Sequence, residues 1–358
     1  MLKLLSDSPC TVTEYNVRDT RTLAGGFLNG KVCVWDTRAG GKPQLITEKE
    51  ISHQESINSL LWIHSKSNSE FFSGSADGQL FWWDARTLQK PIDSLLLDPV
   101  RTDNQEQFRC YGCSVLEFEY TIPTKYTIGT EEGYVFFGNR KGATPTEKLA
   151  FKIKCLDGPI RSLERNPIFV KNFLAVGEYC IKIWSDDNRD NPIIWTLDNY
   201  WDITCATWSH TRSSLLFAGR LDGVLDCWDV LLDQKKPVVS FKVTISRICN
   251  VKSHDSGEFA AVADTDGNVS LVGVSPNLWS CSKTEKTALS AIFEREAKRD
   301  KLLEGRTREI KLKEKQLEEE AEPVARKSVG IPVDTVVEDT EKKQFQKLLR
   351  KERRKRMK

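Results

Sequence analysis

His53, Ser73 and Asp77 are the residues whose types most invite a chemical reading. A histidine that can take a proton from a serine hydroxyl, beside a carboxylate that orients its ring, is the working set of the serine hydrolases. The Gly-x-Ser-x-Gly turn that presents a nucleophilic serine at a sheet edge is missing. Ser73 sits instead in Phe71-Phe72-Ser73-Gly74-Ser75-Ala76-Asp77-Gly78, ahead of Gln79-Leu80-Phe81-Trp82-Trp83-Asp84. In that setting His53, Ser73, Asp77 and Trp83 are expected to form a buried hydrogen-bonded tetrad that ties strands together. The other three histidines, His64, His210 and His254, each follow a similar run (Ile57 to Ile63, Ile203 to Ser209, Ile248 to Ser253). They share a repeated turn position and have no Cys or carboxylate at ligand spacing beside them. Cys110-Tyr111-Gly112-Cys113 is a single C-x-x-C pair without a second pair or a βαβ context, so it reads as structural ahead of zinc or redox. The run Asp186 to Pro192 lacks the alternating oxygen ligands and later bidentate Glu of a calcium loop. No metal, cofactor or catalytic residue is expected.

The elements that must position these residues recur along the chain. Asp77-Gly78 is a hairpin turn signal between two aromatic-rich strands, with Gly78 free to take positive φ. The same pattern runs from Gly26 through Gly30 to Trp35-Asp36, and from Gly219 through Asp222-Gly223 to Trp228-Asp229. Two copies have eroded closing pairs, Gly138-Asn139 and Val272-Gly273, and a shorter copy turns at Gly177 to Cys180 and ends at Trp184-Ser185. The closing positions 36, 84, 139, 185, 229 and 273 lie 48, 55, 46, 44 and 44 residues apart. A repeat of about 40–45 residues with four strands and a closing Trp-Asp is the mark of a WD-repeat β-propeller. The fold expected is therefore all-β, with six units over 1–279 and a charged helical extension beyond. Six units can close a ring, or they can be the greater part of a seven-bladed ring with its first blade outside this chain; the abrupt start favours the second. Leu88 to Phe108 reads as a polar loop longer than a propeller connection needs.

Charge divides the chain. Residues from 280 onward hold 23 Lys and Arg against 16 Asp and Glu, a net of +7, and the preceding residues hold 30 against 35, a net of −5. Five cysteines, at 33, 180, 205, 227 and 249, fall within strand patterns, where a free thiol behaves as a small apolar group, which implies a reducing, intracellular setting. No run approaches membrane-spanning length, and neither a membrane nor nucleic acid is expected as a partner. A charged helix is expected over 280–321. Leu289, Leu303, Ile310 and Leu317 fall on one sevenfold line with Phe293 beside it, a stripe too narrow for a self-sufficient coiled coil and suited to packing on the propeller or on a partner subunit. A flexible linker is expected over 322–338 and a short basic helix or tail over 339–358.

The fifth unit, "CATWSHTRSSLLFAGRLDGVLDCWDV", resembles the last blades of dynein intermediate chains, in which Trp-Ser-x-x-Arg precedes Asp-Gly and Trp-Asp. The helix "SAIFEREAKRDKLLEGRTREIKLKEK" is similar to the C-terminal helix of the outer-arm members of the axonemal dynein intermediate-chain family. The resemblance covers about residues 10 to 320 and implies a non-catalytic scaffold in the axoneme of cilia or flagella. Its implied partners are a motor heavy chain and a second intermediate chain, with the microtubule doublet reached indirectly. The family's segment before the propeller has no counterpart here, so light-chain binding is not expected. The other reading of the same repeats is a general intracellular adaptor, in a ubiquitin-ligase or RNA-processing complex, with the basic tail as its working part.

Overall fold

The computed structural model describes residues 3–64, 67–100, 102–119, 121–122, 124–196 and 202–327, with side chains up to residue 316. Among these residues, six antiparallel sheets follow one another along the chain, over 10–46, 57–96, 113–154, 162–195, 203–242 and 248–273. They are blades 1 to 6. Five have four strands and blade 6 has three, and in each the strands pair in chain order. The first strands of all six line one channel of about 290 Å3, so each is the inner strand of its blade. This is a six-bladed WD-repeat propeller. Among the described residues, no strand from 1–40 hydrogen-bonds to blade 6, whose Phe259, Val269 and Leu271 are exposed.

Local chemistry makes each blade. At the turn after Ser75, Gly78 has φ +77°, the Asp77 carboxylate accepts the Gln79 N–H at 2.8 Å, and Gly78 N–H donates to the Ser75 carbonyl at 3.1 Å. Gly30, Gly133, Gly223 and Gly267 repeat that φ within a few degrees, because a positive φ strains any residue bearing a Cβ. The tight copy at 177–180 closes instead with Gly177 N–H on the Cys180 carbonyl at 3.0 Å. On both sides of the turns the strands bury aromatics against the next blade. Phe72 and Trp82 of blade 2 stack on each other and meet Phe118 and Tyr126 of blade 3, each fully buried aromatic stabilising the pair by roughly 1.5–3 kcal/mol.

Two expectations change. The loop expected from Leu88 to Phe108 contains the outer strand of blade 2, Asp93–Leu96, whose alternation buries Leu95 against the sheet. The free loop is therefore 97–112. The long helix runs Lys283–Lys327, overlapping the start of the expected linker at 322–338. The rest of that linker and the basic segment at 339–358 lie outside the described residues.

Turns and blade-to-blade connections share one rim of the propeller. The carbonyls of Gly30, Gly78, Gly133 and Gly223 accept from His53, Leu97, Cys155 and Val243 in the connection that follows, at 2.9 to 3.1 Å. The loops joining first to second and third to fourth strands form the opposite rim.

Candidate functional site

His53, Ser73, Asp77 and Trp83 meet inside blade 2. The Trp83 indole donates to Ser73 Oγ at 2.8 Å, His53 Nε2 lies 2.7 Å from the same oxygen, and His53 Nδ1 is 3.8 Å from Asp77 Oδ1. Burial alone would raise the Asp77 carboxyl, but the adjacent His53 and the N–H groups of Gln79 and Gln54 outweigh it and hold it below the usual carboxylate range. Ser73 is 0% exposed. Its hydroxyl is engaged within the blade, so the arrangement ties strands together and offers no nucleophile to a substrate.

The same register explains the other blades. Ser73 stands two residues beyond the Phe71–Trp83 pair. The equivalent residues, two beyond the partners of Trp35, Trp184 and Trp228, are Gly25, Ala175 and Ala218, none with a side-chain acceptor. Those three indole N–H groups are buried without a hydrogen-bond partner. In blade 3, Gly138 replaces the tryptophan and the Tyr126 ring fills the space its Cβ would take. The closing aspartates divide in the same way. Asp36 and Asp84 each hold the arginine two residues on, Arg38 and Arg86, at 2.6 Å on the rim, and the Arg38 guanidinium pulls Asp36 down to about 2.

Asp229 does something different. It is fully buried and forms an ion pair with Arg212 Nη2 at 2.8 Å. Arg212 Nε in turn lies 3.1 Å from Glu285 in the first turn of the long helix, and its Nη1 donates to the Asn277 and Leu278 carbonyls. Leu289, 0% exposed, and Phe293 then enter the core formed by Trp208, Leu216, Trp228 and Ile183 of blades 4 and 5. Phe169 meets Phe293 edge-on at 5.6 Å, and Asn191 Nδ2 donates to Asp300 at 3.1 Å. Of the stripe expected to pack on the propeller or on a partner subunit, Leu289 and Phe293 lie against the propeller. From Lys301 onward Leu303 and Ile310 are exposed, and Leu317 lies beyond the described side chains.

A second set, missed at the sequence level, joins blade to blade. The Trp62 N–H donates to the Glu14 carboxylate and its indole to the Glu14 carbonyl, both at 2.9 Å. Trp208 repeats this on Glu164 at 3.1 and 3.3 Å, and the Arg165 N–H donates to the Glu117 carboxylate. Burial pushes Glu14 and Glu117 up to about 7 and raises Glu164, with Lys252 across the channel partly offsetting it for Glu14 and Glu164. A signal was present, since Trp62 and Trp208 occupy one repeat position and a glutamate is the last residue but one of the preceding inner strand in both cases. Among the described residues no three His, Cys, Asp or Glu side chains converge as a metal site requires, and no helix is long and apolar enough to cross a membrane.

Fold and contacts together define a WD-repeat propeller with the start of a long helix fastened to its fourth and fifth blades. The sequence profile of the family described as dynein axonemal intermediate chain 3 WD40 domain matches residues 98–274. The chain belongs to the axonemal dynein intermediate-chain family. It is 41% identical to "Dynein intermediate chain 3, ciliary" of Heliocidaris crassispina over 306 residues, 86% of this chain and 51% of that protein. It is 40% identical to human "Dynein axonemal intermediate chain 2" over 314 residues, 88% and 52% of the two chains. It is 31% identical to "Dynein, 70 kDa intermediate chain, flagellar outer arm" of Chlamydomonas reinhardtii over 313 residues, 87% and 54%. The chain spans about half the length of the curated relatives it matches.

Proposed function

We propose that this chain is a non-catalytic scaffold subunit of the outer dynein arm in the axoneme of cilia or flagella. It holds a motor heavy chain and a second intermediate chain, reaches the microtubule doublet through that complex, and so supports motility. The observation that carries this reading is the fastened helix. Arg212, Leu289 and Phe293 fix its first turns to the propeller, while Leu303 and Ile310 leave an apolar line exposed among charges farther along. A propeller that fastens the start of a helix, and exposed apolar residues on that helix from Lys301 onward, suit a part that holds other subunits. The two residues of the family's Trp-Ser-x-x-Arg and Trp-Asp patterns that make the clamp, Arg212 and Asp229, have a mechanical role here.

Reconstitution tests it. Co-expressed with an outer-arm heavy-chain tail and a second outer-arm intermediate chain, this chain is expected to co-migrate with both in size-exclusion chromatography. Leu303→Ser with Ile310→Ser should weaken capture at least tenfold with melting unchanged, since neither side chain is buried. Capture unaffected by that pair would remove the helix from the interface, and no co-migration at all would overturn the assignment.

A further inference from the structure

The two rims of the propeller carry opposite charge. Among the described residues, the turns and blade-to-blade connections of one rim hold 14 Asp and Glu against 5 Lys and Arg, whereas the loops of the opposite rim hold 9 against 14. Part of the acidic excess is internal: Asp98 is buried, the Asp77 side chain is largely covered beside His53, and Glu178 and Asp222 pair with Arg161 and Arg220. Glu48, Glu50, Glu55, Glu131, Asp157 and Asp266 are exposed.

Large apolar side chains stand on the tips of the same acidic rim. Leu28 and Leu221 are exposed in the turns of blades 1 and 5, Tyr179 in that of blade 4, and Phe108 and Ile245 in the connections after blades 2 and 5, at 84% and 90% exposure. Phe108 is held in place. The buried Asp98 carboxylate accepts from the N–H groups of Val100 and Glu106 and from Arg109 Nη2, at 2.8, 3.1 and 2.9 Å. The Gln105 amide pairs with both backbone groups of Leu96 on the blade edge. An aromatic presented on a loop already ordered loses little freedom when it is covered, which is the property of an interface anchor.

We propose that this rim is a docking surface for a Lys- and Arg-rich amphipathic helix of a partner protein. The apolar tips receive the helix's apolar face, and the exposed carboxylates between them receive the flanking cations, steering its approach. An acidic or purely polar segment is repelled or gains nothing, and the basic opposite rim does not compete for the same helix. The proposal rests on reading the propeller as a binding disc and not on any dynein partner. An assay containing no other dynein subunit can therefore fail while heavy-chain capture succeeds, and the reverse.

The probe is a fluorescent Leu/Lys amphipathic peptide about 20 residues long, roughly 30 Å as a helix, titrated with the whole chain and followed by anisotropy. Tighter binding than a scrambled peptide of the same composition is expected, by at least tenfold, weakening as salt rises. Changing Phe108, Tyr179, Leu221 and Ile245 together to Ser should cost at least tenfold, and Phe108→Ser alone at least threefold if the combined variant melts early. Lys90→Glu with Lys141→Glu, on the opposite rim, should leave binding as it was. Equal affinity for the scrambled peptide, for a Leu/Glu counterpart, or for the Phe108 variant would overturn the proposal.

Discussion

Arg212→Ala should be among the most damaging single changes in the propeller. Arg212 is almost fully buried and neutralises Asp229, which is 0% exposed. Removing the cation leaves a carboxylate in the core without its counter-charge, a change that costs about 3–5 kcal/mol. For a domain of about 300 residues with an unfolding entropy near 2.1 cal/mol/K per residue, that is a fall in melting temperature of about 5–8 °C. Glu285, the partner on the helix, is partly exposed, so Glu285→Ala should cost about 1 kcal/mol or less. Calorimetry or urea unfolding reads both. Hydrogen exchange over 276–293 should also accelerate in the arginine variant, because Arg212 holds the Asn277 and Leu278 carbonyls ahead of the helix. Adding Asp229→Asn removes the stranded charge while keeping an acceptor for the Leu231 N–H, and should recover at least half of the loss. A loss under 1 kcal/mol, or a double variant no more stable than Arg212→Ala, would refute the clamp.

Ser73→Ala should cost roughly 1–3 kcal/mol, since it strands a buried indole N–H and the His53 ring together; a neutral result in thermal melts would remove the tetrad from the account of blade 2. Glu14→Gln tests the blade-to-blade contacts. The folded-state value of Glu14 lies above its ordinary value of 4.5, at about 7, so between those pH values the unfolded chain releases this proton before the folded chain does. Stability from this group is thus full below about pH 4.5 and falls as pH rises to about 7, by up to roughly 3 kcal/mol at 1.36 kcal/mol per unit. The amide of the Glu14→Gln variant would keep the acceptor for Trp62 and lose the titration, so the variant should gain on the parent as pH rises. Parallel stability curves from pH 5 to 8 would contradict it.

Much of this was legible in the sequence because it is local chemistry. Asp77-Gly78 and its copies state a turn, and the Trp-Asp spacing states the blade period. What a residue touches across the ring was not legible. Gly25, Ala175 and Ala218 look ordinary until strand register sets them two residues beyond the partners of the tryptophans, where Ser73 stands in blade 2. Arg212 was visible as part of a family pattern, but its two carboxylates lie on another strand and on a distant helix. Leu289 and Phe293 share a stripe with Leu303, and sevenfold spacing shows which residues share a helix face while leaving open what covers each turn. Asp93–Leu96 was hidden because a short outer strand needs only one buried side chain, Leu95, to fix its register.

The most direct measurement for the central claim is affinity purification of the tagged chain from motile ciliated cells, with subunit stoichiometry by mass spectrometry. An outer-arm dynein heavy chain and a second intermediate chain are expected at near-equal amounts. Ubiquitin-ligase or ribonucleoprotein subunits in their place, with no heavy chain, would contradict it.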